Sequence, residues 1–319
     1  MMKMKAWKNK LLDELVESVY KVVSKHGFNV VKLSTPSNPD DRSIDMFLWR
    51  DDGKNIHLKI AVDSKDIDYF EQKDLFGVAT VLKSKPLAVS EYEDKIELED
   101  DVIYERNKLP IVNVKTLDNL LACSKNLFVI GKKKDFYVRV DGEKIRKARI
   151  ERDISLGELA DILKVSRKSV YEYERGSYNV SLDVAEKLID VLSEDILKPY
   201  NIYEEEITTD MNLINKPDNV MEEKVMRILE NFTDTQYHVK KAFVDIIAKK
   251  DDKKFFIAVE HIKSGSSIRD KIENIERFSF MKDTLKIAVV NDRRIDYVSS
   301  TILTNVDKLR KILEEHIVR

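Results

Sequence analysis

The sequence holds a single cysteine, Cys123, among 319 residues, so no internal disulfide can form and a secreted disulfide scaffold is excluded. A structural zinc site built from several thiolates is excluded on the same count. Cys123 follows the apolar Leu120, Leu121 and Ala122, and it reads as a small buried residue rather than a nucleophile. Eight glycines and six prolines are too few for a collagen-like or low-complexity chain. No apolar run approaches the roughly 18 residues of a membrane span; Phe255 to Val259 is typical of the longest. Asp13, Glu14 and Glu17 interrupt what would have to be the apolar core of a signal peptide. Neither charge dominates: 56 Lys and Arg stand against 58 Asp and Glu. That balance rules out a uniformly basic coat for nucleic acid and leaves room for a local basic face. The five histidines, His26, His57, His238, His261 and His316, show no metal-ligand spacing. The expectation is a soluble cytoplasmic protein with no membrane partner, no metal and no cofactor. Only two glutamines, Gln72 and Gln236, amid abundant Lys, Glu and Asp match the usage of hyperthermophiles.

What is present suits two or three domains: 43% hydrophobic residues supply real cores, and 36% charged residues cover them. Residues 5–25 read as an amphipathic helix, with Leu11, Leu12, Leu15, Val16, Val19, Val22 and Val23 recurring at i, i+3 and i+4. Gly27 stands where a left-handed cap belongs. Ile44 to Trp49 and Ile56 to Val62 read as strands joined by the Asp52-Gly53 turn. A polar helix follows over 68–82, then a strand over 87–90, an acidic loop over 91–101, a strand over 109–114 and a helix over 117–122. Leu127 to Ile130 and Phe136 to Val140 read as short strands around Gly131-Lys132-Lys133-Lys134, taken as a solvated basic turn. Short helices fill 142–197, and 199–219, with Pro199 and Pro217, read as a connector.

The last hundred residues echo the first. Arg50 to Lys54 reappears as Lys250 to Lys254, Asp45 as Asp245, and Leu87-Ala88-Val89 as Ile287-Ala288-Val289. Ile60 to Asp63 matches Ile257 to Glu260 if the second copy is three residues shorter. The order of these matches points to two related α/β domains flanking a central helical module.

That module carries the strongest pattern. Ile145, Ala148 and Arg149 lie on a first helix. Ser155 supplies a cap oxygen for a second, whose inner stripe is Leu159, Ala160 and Leu163. The turn Lys164-Val165-Ser166 buries Val165 and leads to a third helix capped by Ser166. Val170 and Tyr173 face inward there, while Arg167, Lys168, Tyr171, Glu172 and Arg175 face outward, until Gly176 stops the helix. Ser181 caps a fourth helix with the stripe Leu182, Ala185, Leu188, Ile189 and Leu192. Two short helices joined by a three-residue turn make a helix-turn-helix, whose second helix enters the DNA major groove while the first crosses the phosphate backbone. Arg and Lys near its start reach guanine acceptors or phosphates. From Lys144 to Lys168 eight basic residues face four acidic ones, a local balance of +4 in a chain whose formal charge is −2.

Ser155-Leu-Gly-Glu-Leu-Ala160, Val165-Ser-Arg-Lys-Ser-Val170 and Tyr173-Glu-Arg-Gly176 resemble the Cro and lambda-repressor (Xre-like) helix-turn-helix family. The longer stretch from Phe136 to Gly176 resembles archaeal transcriptional regulators that carry this module mid-chain. The resemblance implies double-stranded DNA as partner, a homodimer, an Arg149–Glu174 ion pair, and base-facing Arg167, Lys168, Tyr171 and Glu172, with Ser169 also among the DNA-binding residues. Arg175, Ser155 and Ser166 complete the DNA-binding set. Three positions depart from the family. Leu156 stands where many members have a phosphate-contacting Gln, Lys164 where Gly takes the turn, and Val180 where Pro is common.

In the first flanking domain Asp45, a hairpin, and the triplet Asp63-Ser64-Lys65 resemble the PD-(D/E)xK nuclease fold. Two carboxylates there would hold Mg²⁺, the Lys would stabilise charge, and Glu14 or Glu17 would add a ligand. In the second domain Ile262 takes the Lys position, Lys263 falls one residue late, and His261 is a poor substitute. The expected architecture is therefore an α/β domain at 1–130 with a nuclease-like fold but no activity, a helix-turn-helix at 136–198, a connector at 199–219, and a second α/β domain at 220–319. The expected function is a transcriptional regulator that is not an enzyme, its effector unknown. The alternatives are a nuclease using Asp45, Asp63 and Lys65, or an antitoxin or defence-system regulator.

Overall fold

The computed structural model describes residues 2–34, 42–122, 126–132, 135–260, 268–291 and 300–317, with side chains from residue 9 onward. Cys123, Lys133, Lys134, His261, Ile262 and Lys263 lie outside the described residues.

The first unit opens with α1 (Met2–Lys25), then β1 (Asn29–Lys32), β2 (Met46–Trp49), β3 (Ile56–Ile60), α2 (Tyr69–Leu82) and β4 (Lys85–Val89). A small hairpin, β5 (Tyr92–Glu93) and β6 (Ile96–Glu97), precedes β7 (Val102–Arg106), β8 (Leu109–Val112) and α3 (Val114–Ala122). Next come β9 (Val129–Lys132) and β10 (Asp135–Val138). The helical module is α4 (Gly142–Glu151), α5 (Leu156–Leu163), α6 (Arg167–Glu174), β11 (Val180–Ser181) and α7 (Leu182–Leu192). The last unit is α8 (Val220–Leu229), β12 (Thr235–His238), β13 (Ile246–Lys250), β14 (Lys253–Val259), α9 (Ile268–Glu276), β15 (Thr284–Val289), β16 (Ile302–Thr304) and α10 (Val306–Ile317).

One nine-stranded sheet runs β1-β2-β3-β4-β8-β7-β9-β10-β11, and a five-stranded sheet runs β12-β13-β14-β15-β16. The larger sheet therefore continues from the first unit into the helical module, because β10 pairs with β9 on one side and β11 on the other. In each unit three antiparallel strands are followed by a helix and a parallel strand: β3 pairs with β4, and β14 with β15. Among the described residues, no helix is long and apolar enough to cross a membrane.

Asp45 and Asp245 hold equivalent places. Each donates its amide to the neighbouring strand, to Leu58 O and Ile257 O, and each carboxylate accepts an amide from it, Ile60 N and Val259 N, at 2.7 Å. This register corrects the alignment expected from sequence. Ile60 corresponds to Val259, not Ile257, so the second hairpin is one residue shorter rather than three. The counterpart of Asp63 is then residue 262, not Glu260.

The helix α2 is not a polar surface helix. Glu71, Gln72, Lys73 and Asp74 are buried with its apolar residues: Glu71 and Gln72 meet Lys59 and Asn107 of the first unit, Lys73 meets the connector, and Asp74 meets the second unit. Asp74 accepts the amides of Lys240 and Lys241 at 3.0 and 2.7 Å and the Ser43 hydroxyl at 3.1 Å. In the opposite direction, Asn274 of α9 accepts the amide of Ser34 at 3.3 Å. Aromatic rings fill the seam: Phe47 meets Phe278 edge-on at 5.3 Å, and Trp49 stacks on Phe280 at 4.4 Å. A single apolar core thus spans both units. The connector over 199–219 is irregular and pinned along its length. Ile202 enters the core of the first unit, Arg139 pairs with Glu205 at 2.7 Å, and Lys73 donates to Ile214 O at 2.8 Å.

Three further expectations are corrected. The acidic segment over 91–101 is not a plain loop, since it forms the β5–β6 hairpin. Gly131 is not in a turn but in β9, where a Cβ would stand 2.6 Å from the Tyr104 ring. Ser181 precedes α7 but makes no side-chain cap bond, and it pairs instead with Tyr137 in β10.

Candidate nucleic-acid interface

Local chemistry sets each helix of the module. Asp141 caps α4 by accepting the Lys144 amide at 3.1 Å. Ser155 and Glu158 cap α5 reciprocally, amide to side chain in both directions, at 2.8 and 3.2 Å. The Ser155 amide bonded to the Glu158 carboxylate holds that carboxyl below its usual range. Lys164 then takes the left-handed conformation, φ 57°, that glycine commonly supplies. Ser166 caps α6 by accepting the Ser169 amide at 3.0 Å, and the two hydroxyls meet at 2.9 Å. Gly176, φ +69°, ends the segment.

The apolar side packs as one cluster of Ile145, Leu159, Ala160, Leu163, Val170, Val180, Ala185 and Leu188. Tyr173 and Val165 are half-buried against it. Two glycines set the helix approach. At Gly142 a Cβ would lie 2.5 Å from the backbone oxygens of Tyr173 and Glu174, so α4 and α6 cross in near backbone contact. At Gly157 a Cβ would meet Arg167 Nη2 at 2.7 Å, so the Arg167 side chain lies over α5. Neither glycine stood out in the sequence reading; the signal was two of only eight glycines falling at helix starts within one motif.

Most of the residues expected to contact DNA fall on the outer face. Arg167, Lys168, Tyr171, Arg175, Ser155 and Ser166 are exposed, Tyr171 by 49%, and Arg175 stacks over its ring at 5.6 Å. Ser169 and Glu172 are half-buried, so Glu172 is less outward-facing than expected. Behind the face, Arg149 joins Glu174 at 2.5 Å, and that bond raises the guanidinium above its usual pKa. Lys144, Arg146, Lys147, Arg152 and Lys164 are also exposed and extend the positive surface.

The structure does not bring Asp45, Asp63 and Lys65 together. The buried Asp45 carboxylate is held by Arg42 at 2.7 Å and faces Lys59 at 3.8 Å. Asp63 accepts the amides of Lys65, Asp94 and Lys95, and the Lys65 ammonium reaches Asp94 at 2.5 Å on the surface. Register places Lys59 opposite Asp45, with His57 two residues before it on the same face. Position 57 thus offers an imidazole, bonded to Ser84 and to Leu75 O, where a second carboxylate would be needed.

These features define a helix-turn-helix protein whose DNA-binding module is built onto an α/β scaffold of nuclease type. Residues 145–197 match the helix-turn-helix family, and residues 12–127 match the PD-(D/E)XK superfamily domain. Over nearly the whole length the chain is similar to proteins named "Putative HTH-type transcriptional regulatory protein". The Pyrococcus furiosus relative is 31% identical over 305 residues, 94% of each chain. The Aeropyrum pernix relative is 27% identical, covering 96% of this chain and 93% of its own. That of Methanocaldococcus jannaschii is 26% identical, covering 95% of each. The chain belongs to this family of archaeal HTH-type transcriptional regulatory proteins, and its helix-turn-helix is a DNA-binding module.

Proposed function

We propose that the protein is a sequence-specific regulator that reads the major groove with α6 as a homodimer on an inverted repeat. The observation that carries this reading is the two-sidedness of α6. Val170 is sealed in the core at 1% exposure, while Arg167, Lys168 and Tyr171 are exposed, the Arg167 guanidinium lying over Gly157 of α5. Arg167 and Lys168, one and two residues past the Ser166 cap, carry base contacts, and Arg175 with the basic residues of α4 meets phosphates. One module covers too little DNA for tight binding alone, so half-sites about 34 Å apart, or a multiple, are expected. The two α/β units, which share element order and the Asp45 and Asp245 bonds, derive from one duplicated unit and serve assembly.

Selection of genomic fragments by the full chain at physiological salt supplies the site. On it Arg167→Ala costs about 1–3 kcal/mol and relaxes preference at one base pair. Equal loss on specific and random DNA would reduce Arg167 to a phosphate contact. A second reading, DNA cleavage, rests on the superfamily match of residues 12–127. The engagement of Asp45 by Arg42, of Asp63 by backbone amides and of Lys65 by Asp94 favours regulation without cleavage.

A further inference from the structure

Three side chains converge where the connector enters the second unit. Asp218 lies just before the cap residue Asn219, Glu222 lies one turn further on in α8, and His238 ends β12. The Asn219 side chain accepts the amides of Met221 and Glu222, and the Asp218 amide donates to Glu222 Oε2 at 2.6 Å. From β12, His238 is set by its carbonyl, which accepts from Asn215 at 2.9 Å. Glu222 and His238 are buried, at 0% and 1% exposure, whereas Asp218 is open to solvent.

His238 Nε2 lies 2.8 Å from Glu222 Oε2 and 3.7 Å from Asp218 Oδ2, and one ligand atom of each residue falls within 4.8 Å of the others. The Lys240 ammonium bonds Asp218 Oδ1 and Lys216 O, which leaves Asp218 Oδ2 turned toward the imidazole. Among the described residues neither ring nitrogen of His238 has a hydrogen-bond partner, since Glu222 Oε2 is near Nε2 but off the line that an N–H would take. An imidazole so deeply buried and unbonded costs about 1–3 kcal/mol unless something takes its lone pair.

We propose that Asp218, Glu222 and His238 bind a single first-row divalent cation of the zinc class. An ion about 2.1 Å from each donor in a tetrahedral set needs donors roughly 3.4 Å apart, and the three atoms here bracket that spacing. The donor set chooses the cation. One imidazole and two carboxylates suit Zn²⁺ or its neighbours, whereas Ca²⁺ and Mg²⁺ need more oxygen ligands. Three protein ligands leave a fourth position for water, and the exposed Asp218 side gives the ion its entry. Two carboxylates beside one ammonium leave the pocket short of positive charge, which the ion supplies. The ion fastens the end of the connector to α8 and β12, two residues before the Lys240 and Lys241 amides that bind Asp74 across the seam.

A proton on His238 is the competing occupant, and the test separates the two. Full-length protein stripped with chelator is titrated with Zn²⁺ by calorimetry and with Co²⁺ by its visible absorption. One equivalent should bind, and the thermal midpoint should rise with Zn²⁺ but not with Mg²⁺ or Ca²⁺. His238→Gln and Glu222→Gln should abolish the uptake. Asp218→Asn, at the exposed rim, should weaken it about tenfold or more. No saturable uptake by the wild-type chain, or uptake unchanged in Asp218→Asn and Glu222→Gln, overturns the proposal. So does a midpoint that responds to pH but not to Zn²⁺.

Discussion

Arg149 and Glu174 join α4 to α6 through two parallel hydrogen bonds, Nε to Oε1 at 2.5 Å and Nη2 to Oε2 at 3.2 Å. A third bond from the same guanidinium, Nη1 to Ile154 O at 2.8 Å, ties in the start of α5. The side chains are only 11% and 7% exposed, so this is a buried pair whose parts depend on each other. Arg149→Ala leaves the Glu174 carboxylate buried and uncompensated, and a loss of about 3–5 kcal/mol is expected. Glu174→Gln keeps a neutral acceptor for the guanidinium and should cost less. Hydrogen exchange of the α4 and α6 amides in the full chain measures both losses within this module. Equal protection in Arg149→Ala and wild type would count against the pair as a clamp.

The two module glycines should separate stability from recognition. At Gly142 the obstacle to a Cβ is backbone, which cannot swing away, so Gly142→Ala should destabilise the module by about 1–3 kcal/mol. At Gly157 the obstacle is the tip of Arg167, which can move. Gly157→Ala also gains helix propensity, so stability should hold or rise by up to about 1 kcal/mol. The displaced guanidinium should change affinity for the selected DNA. Exchange protection and DNA titration of both variants check this; a Gly157→Ala protein with unaltered DNA affinity would show that Arg167 does not need its seat on α5.

The helical module was legible in the sequence because its determinants are local. Caps at Ser155 and Ser166, the left-handed Lys164 and the stripe Leu159, Ala160, Leu163 all act within a few residues. The helix α2 was misjudged because its partners are remote. Asp74 meets amides of residues 240 and 241, and Lys59 meets Glu71 at 3.2 Å, so polar letters there mark a seam rather than a wet surface. Strand β7 escapes the pattern because its hairpin with β8 turns at Asn107-Lys108, both at positive φ with no glycine to mark the turn, and β11 because its two residues are placed by the remote β10. The triplet Asp63-Ser64-Lys65 resembles strand chemistry, but the strand ends at Ile60; Lys59 is the residue opposite Asp45, and His57 lies opposite Phe47.

Two buried groups should pull stability in opposite directions with pH. Burial pushes the His57 imidazole down to about 4, against the bond to Leu75 O. Between pH 4 and 6.5 the unfolded chain holds the extra proton, so stability rises with pH there, by about 3 kcal/mol in all. Burial pushes Asp74 up to about 7, against donors from Lys240, Lys241 and Ser43. Between pH 3.8 and 7 the native chain holds the extra proton, so stability falls as pH rises, by about 4 kcal/mol. The two slopes largely cancel in the wild type. In Asp74→Asn the rise from His57 is unmasked, and stability relative to wild type should improve from pH 4 to pH 7. Thermal midpoints across that range check it; parallel profiles would mean that Asp74 carries no proton in the native state.

The α/β units should not cut DNA. A metal-dependent active site of this kind works only as a set, since ion, base and charge stabiliser act as a unit. Here the first carboxylate, Asp45, is buried and bound to Arg42 and to the Ile60 amide. The acid expected beside Lys59 is His57, whose ring nitrogens bond Ser84 and Leu75 O. Asp63 is committed to three backbone amides. The expected result is no cleavage of duplex, single-stranded or branched DNA with Mg²⁺ or Mn²⁺. Lys65→Ala removes only a surface contact to Asp94 and should leave DNA binding unchanged. Loss of nicking in Asp45→Asn alone would not revive the nuclease, because that change breaks a buried ion pair and weakens the fold itself. Metal-dependent nicking that disappears in both Asp63→Ala and Lys65→Ala, with folding intact, would instead establish these two residues as catalytic.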